Sequence, residues 1–167
     1  MTTDPLTTCA NAIESQLTAN ISGLKVYTFE PTDVQLTATP GFTYAHAVTI
    51  GGVDVRRIGP DEHELEIGGA GAYAAAIGVT ERTTYYTSWR VNLYTGLSTS
   101  PDSSNFDDAR RLLSSVISAI DADPSLGGIT TSDGAARVTS TSWGYTPQDQ
   151  PVQMIINQAT LEAWLKV

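Results

Sequence analysis

Charge is scarce in this chain, and cysteine and histidine are scarcer still. Charged residues make up 16% of the 167, and eighteen acidic residues against nine basic ones leave a formal charge of −9. A sequence-independent nucleic-acid binder needs a basic stripe that displaces counterions from phosphates. Arginines adjoin one another only at Arg56-Arg57 and Arg110-Arg111, so stable DNA binding is not expected. The acidic balance favours solubility and repels a passing polyanion. The single cysteine, Cys9, excludes an internal disulfide and any cysteine-rich zinc or iron–sulfur site, and a reducing compartment fits it best. Long apolar runs are missing as well. None approaches the roughly 20 residues that span a bilayer, and the opening residues lack a basic region followed by an apolar stretch, which predicts a cytoplasmic chain with no membrane partner.

The few chemistry-bearing residues lack the neighbours that chemistry needs. Asp61-Glu62-His63-Glu64 sets one histidine among three carboxylates. Adjacent residues on a strand alternate faces and the helical His-Glu-x-x-His spacing is absent, so a solvated acidic loop is predicted rather than a metal site. His46, between Ala45 and Ala47, reads as a structural histidine of a strand. Gly68-Gly69-Ala70-Gly71 has neither the Lys-Ser/Thr of a phosphate loop nor the Gly-x-Gly-x-x-Gly spacing. No serine lies in Gly-x-Ser-x-Gly, and nothing near Cys9 lowers its pKa, so Cys9 is expected to fill space. No catalytic residue, metal or cofactor is predicted, and the chain is read as a non-enzyme.

What is abundant is core material. Hydrophobic residues are 41% of the chain, enough for one domain spanning residues 1–167. Asp4 before Pro5 marks a helix start, and Leu6, Ala10, Ile13, Leu17 and Ile21 make one apolar stripe that Gly23 ends. Lys25 to Phe29 reads as a short strand and residues 31–40 as loop. Tyr44 to Ile50 and Val53 to Ile58 are β-rich runs, and Gly51-Gly52 between them predicts a hairpin turn. From Gly59 to Gly78, acidic residues lead into a Gly/Ala-rich stretch with little bulk of its own, which predicts an extended loop or arm that gains order from a neighbour.

The clearest strand is Tyr85 to Thr95, with Tyr85, Thr87, Trp89, Val91 and Leu93 on one face and Tyr86, Ser88, Arg90, Asn92 and Tyr94 on the other. Ser104 with Asp107 matches a capping box for a second helix from about Asn105 to Ala122. Its wide apolar face comprises Phe106, Ala109, Leu112, Leu113, Val116, Ile117 and Ile120, and Asp107-Asp108 are assigned to its first turn. Asp123-Pro124 and Gly127-Gly128 end it. Ala136 to Trp143 and Val152 to Val167 supply the last strands, with a turn from Pro147 to Pro151. Two long helices among antiparallel-looking strands predict an α+β fold, with both helices packed on a largely antiparallel sheet.

Three segments taken together carry a family resemblance. They are the opening helix with Ala12-Ile13-Glu14-Ser15-Gln16-Leu17 and the following Gly23-Leu24-Lys25-Val26-Tyr27; the strand Trp89-Arg90-Val91-Asn92-Leu93-Tyr94; and Asp108-Ala109-Arg110-Arg111-Leu112-Leu113 continuing through Ser115-Val116-Ile117-Ser118-Ala119-Ile120 to Leu126-Gly127-Gly128. In this order they resemble the tail terminator proteins of long-tailed, siphovirus-type bacteriophages. The resemblance covers most of the chain as an order of elements and departs from the family between Ile58 and Thr80, where this chain is longer. It implies a hexameric ring of this chain, helices outside a sheet, that caps the tail tube and stops its polymerisation. The implied partners are the tail tube protein and the head–tail connector or stopper, with DNA passing through the channel without specific binding. The implied location is the tail or neck of the virion, after assembly in the host cytoplasm.

A ring needs a heterologous contact, one patch meeting a different patch on the next subunit. The candidate interface residues are Tyr86 and Tyr94 on the outward side of the strand, and Gly69 and Tyr73 in the Gly/Ala-rich arm; ordinary sheet packing is the competing account of the tyrosines. The alternative functions are another neck or tail component, either the head–tail stopper or connector or the tube protein, and a small-molecule binding domain with dispersed polar groups.

Overall fold

The computed structural model describes residues 4–28, 46–58, 84–96, 103–131, 134–145 and 154–166. Within them the chain forms α1 (Pro5–Asn20), β1 (Lys25–Tyr27), β2 (His46–Ile58), β3 (Thr84–Gly96), α2 (Ser103–Ala122), β4 (Arg137–Tyr145) and β5 (Met154–Lys166). The class is mixed α+β, with the sheet dominant. The strands lie in the order β1-β2-β3-β5-β4. Four of them pair antiparallel, and β1 joins the edge in parallel with β2, with Val26 beside Val48.

Local chemistry sets the helix ends. The Asp4 carboxylate accepts the backbone N–H groups of Leu6 at 3.4 Å and Thr7 at 3.0 Å, two donors that the first turn of α1 leaves without partners. Gly23, at φ +74°, takes the left-handed turn that leads into β1. After α2, Asp123 accepts from the N–H groups of Ser125 at 3.1 Å and Gly127 at 2.9 Å, and from the Ser125 hydroxyl. Leu126, Gly127 and Gly128 all have positive φ there, and Leu126 is buried despite being the one of the three with a side chain to strain.

Alternation places one sheet face in the core. Trp89, Val91 and Leu93 of β3 and Ala159, Leu161, Ala163 and Leu165 of β5 join Cys9, Ile13 and Leu17 of α1 and Leu112, Val116, Ala119 and Ile120 of α2 in one buried cluster. Two polar groups are satisfied inside it: Thr87 donates to the Ala163 carbonyl at 2.8 Å and receives the Trp89 indole N–H at 3.0 Å. Between the helices, the Gln16 amide donates to the Ala119 carbonyl at 2.8 Å.

Two expectations are corrected. Gly51-Gly52 is not a hairpin turn, because β2 runs unbroken from His46 to Ile58 along β3 with a register shift between Ile50 and Val53. Neither glycine has the positive φ that a tight hairpin turn demands. A Cβ on Gly51 would stand 3.1 Å from the Arg90 carbonyl, so the residue serves a bulge with close backbone approach. The second correction concerns α2, which begins at Ser103 and has no acidic residue in its first turn. Asp107 and Asp108 fall one turn further on, where they pair with Arg110 at 2.9 Å and Arg111 at 3.3 Å. The predicted loop over residues 31–40, the arm over 59–78 and the turn over 147–151 lie outside the described residues.

Candidate assembly surface

The two sheet faces differ in cover. Helices lie against one; the other carries Arg56 and Asp54 of β2, Tyr86, Ser88, Arg90, Asn92 and Tyr94 of β3, and Met154, Ile156, Gln158, Thr160, Glu162 and Trp164 of β5, with Tyr94 and Met154 buried at one end. Cross-strand pairs dominate it. Arg90 meets Asp54 at 3.4 Å and Arg137 of β4 meets Glu162 at 3.6 Å, while the Gln158 amide donates to Asn92 at 2.9 Å. Tyr86 packs edge-on against Trp164, with ring centroids 5.1 Å apart. The middle of this face, Ser88 to Asn92 of β3 beside Gln158 to Glu162 of β5, is therefore polar and laterally bonded.

Of the candidate interface residues, Tyr86 is half-buried on this face and Tyr94, also on it, is 4% exposed. Gly69 and Tyr73 lie outside the described residues, as does His63. His46 opens β2. Cys9 is fully buried, and burial pushes its thiol up to about 12, against a weaker opposing hydrogen bond from Trp89. That places it among inert structural cysteines. Among the described residues no group of three His, Cys, Asp or Glu side chains could hold a metal. No helix of the described chain is long and apolar enough to cross a membrane.

A shallow depression of about 290 Å³ lies between α1 and α2, lined by Asn20, Arg111, Ser114, Ser115, Ser118 and Ala119. Drug-sized ligands occupy roughly 300–1,000 Å³ of mostly apolar lining, and this hollow is polar and open. It does little for the ligand-binding alternative.

Two of the three exposed large apolar residues among the described ones stand elsewhere. β4 is the outer strand beside β5, and Trp143 and Tyr145 on it are 43% and 58% exposed. Tyr145 also touches Phe106 of α2 edge-on at 6.4 Å. These two aromatics were not among the sequence candidates. A signal existed: from Thr139 to Ser142 neither alternate set of residues is apolar, as suits a strand at a sheet edge rather than one with a face in the core. A polar residue is also held inside, where Asn157 of β5 donates to the Ala109 carbonyl at 3.4 Å and its buried Oδ1 has no partner among the described residues.

What the described residues define is a sheet-dominated α+β fold with one helix-covered face, a second face with a polar centre, and an aromatic-bearing edge. No family model matches the chain, and no curated protein is similar to it.

Proposed function

We propose that this chain is a structural protein of a phage tail: a terminator that caps the tail tube as a hexameric ring, stops tube polymerisation and forms part of the joint with the head. The observation that supports the reading is the order of elements among the described residues: an opening helix, a short strand, two long strands, a second helix and two closing strands. That is the order on which the resemblance rests. The exposed edge strand β4 suits a protein whose work is contact with other chains. In this reading Tyr86 packs near the contact with a neighbouring subunit or the tube. No cofactor takes part.

Deletion of the gene tests the reading directly. Electron micrographs should then contain filled heads without tails and free tails of uncontrolled length. Tails of normal length still joined to heads would sink it, and a complete loss of tails would assign the chain to the tube instead.

A further inference from the structure

We infer that β4 is a self-pairing edge, through which two copies of this chain join antiparallel about a two-fold axis at Ser142, so that their five-stranded sheets become one. The inference goes beyond the ring reading and does not depend on it. The two edges of the sheet are unlike. β1 offers three residues, with Val26 and Tyr27 buried, whereas β4 is nine residues long and largely exposed. Natural edges are commonly guarded by prolines, lysines or inward charges, because the unpaired N–H and C=O groups of a strand are a template for another strand. From Val138 to Tyr145 β4 has none of these. Its one charge, Arg137, and its one irregularity, the register shift between Val138 and Ser140, both stand at its start. Two of the three exposed large hydrophobic residues among the described ones, Trp143 and Tyr145, stand at the other end.

The regular stretch from Ser140 to Gly144 is complementary to itself. Opposed residues of an antiparallel pair must point to the same sheet face, which fixes the two-fold on a residue rather than between residues. Centred on Ser142, the register sets Thr141 of each copy against Trp143 of the other, on the helix-bearing side, since Thr141 and Trp143 lie beside Ala159 and Asn157 of β5. Aromatic and β-branched side chains are favourable cross-strand neighbours, and this pair occurs twice. On the opposite side Ser142 meets Ser142, and Ser140 meets Gly144, which adds no bulk. No charge faces a like charge anywhere in the stretch. The occupant is therefore a second copy, because a strand of this register is what places a β-branched residue under each tryptophan.

The chains each carry −9, so they repel at long range, and the repulsion is screened beyond roughly 8 Å at physiological ionic strength. The pair should tighten as salt is raised, the reverse of a contact held by ion pairs. Light scattering of the purified protein should give a mass that climbs from one chain of 17.8 kDa toward two with concentration. Ser142→Lys, which sets like charges at the axis, should return it to one without lowering the melting temperature, since Ser142 is exposed. Ser142→Cys should form a cross-linked pair under mild oxidation, Cys9 being buried, and Ser118→Cys on α2 should not. A single-chain mass up to about 1 mM, the weak end of specific association, or equal cross-linking at positions 118 and 142, overturns the pairing. A hexamer without a Ser142→Cys cross-link overturns it too, and leaves the ring reading standing.

Discussion

Asp123 makes the turn after α2 dependent on pH. Its carboxyl is held below the usual carboxylate range, first by the Ser125 hydroxyl and then by the Gly127 N–H. Asp4 is lowered in the same way, chiefly by the Thr7 hydroxyl. A carboxylate whose folded pKa is depressed adds stability that is complete above its unfolded pKa and is lost as the pH falls through the folded one. The protein should therefore lose melting temperature on acidification below about pH 4. Asp123→Asn should flatten that acid limb while lowering stability at pH 7, as thermal melts across pH will record. An acid limb unchanged in the variant would remove Asp123 from the account. The acidic cap before Pro5 and the Asp123-Pro124 stop were legible in the sequence because both act through backbone groups a few residues away. Asn157 and the Thr87–Trp89 bond were not, since each partner comes from another element.

At the scale of elements, the amphipathic stripe of α2 names its buried residues only approximately. Leu112 is 2% exposed, whereas Leu113 is only partly buried and packs on the edge of the cluster. Leu112→Ala should cost about 2–5 kcal/mol in chemical denaturation, the range for a fully buried leucine, and Leu113→Ala clearly less. Equal losses would mean that the helix is rotated from the orientation described. The faces of β3 could be read because the alternation from Tyr85 to Leu93 leaves one assignment, although Tyr94 on the outward set is itself buried. The path of β2 could not: a Gly-Gly pair between β-rich runs is a turn or a bulge according to its φ angles, which depend on the neighbouring β3. The insertion of β5 between β3 and β4 was equally hidden, because pairing order is decided by which edges meet after the helices dock, and no residue in the chain encodes it locally.

At the scale of the whole molecule, charge differs between the layers among the described residues. The helices and the turn after α2 carry Asp4, Glu14, Asp107, Asp108, Asp121 and Asp123 against Arg110 and Arg111, while the polar sheet face carries Arg56, Arg90 and Arg137 against Asp54 and Glu162. In a ring with its helices outside, the sheet face would look toward the channel, and a lining that attracted phosphates would slow DNA transit. Here Arg90 and Arg137 are each held by a carboxylate across the strands, Asp54 and Glu162.

Those two carboxylates give the last prediction. Asp54→Asn with Glu162→Gln removes two negative charges from the face and leaves its arginines able to reach phosphates. The native protein should leave duplex DNA unshifted on a gel at physiological salt. The double variant should retard it at low salt and release it as salt rises, with a logarithmic slope near −2, about −0.9 for each phosphate contacted. Its fold should persist, because both pairs are exposed on at least one side and exposed pairs contribute roughly 0–1 kcal/mol. A variant that ignores DNA as completely as the native chain would mean that these carboxylates do not set the character of the face. Native protein that binds DNA with a steep salt slope would contradict the acidic reading of the sequence itself.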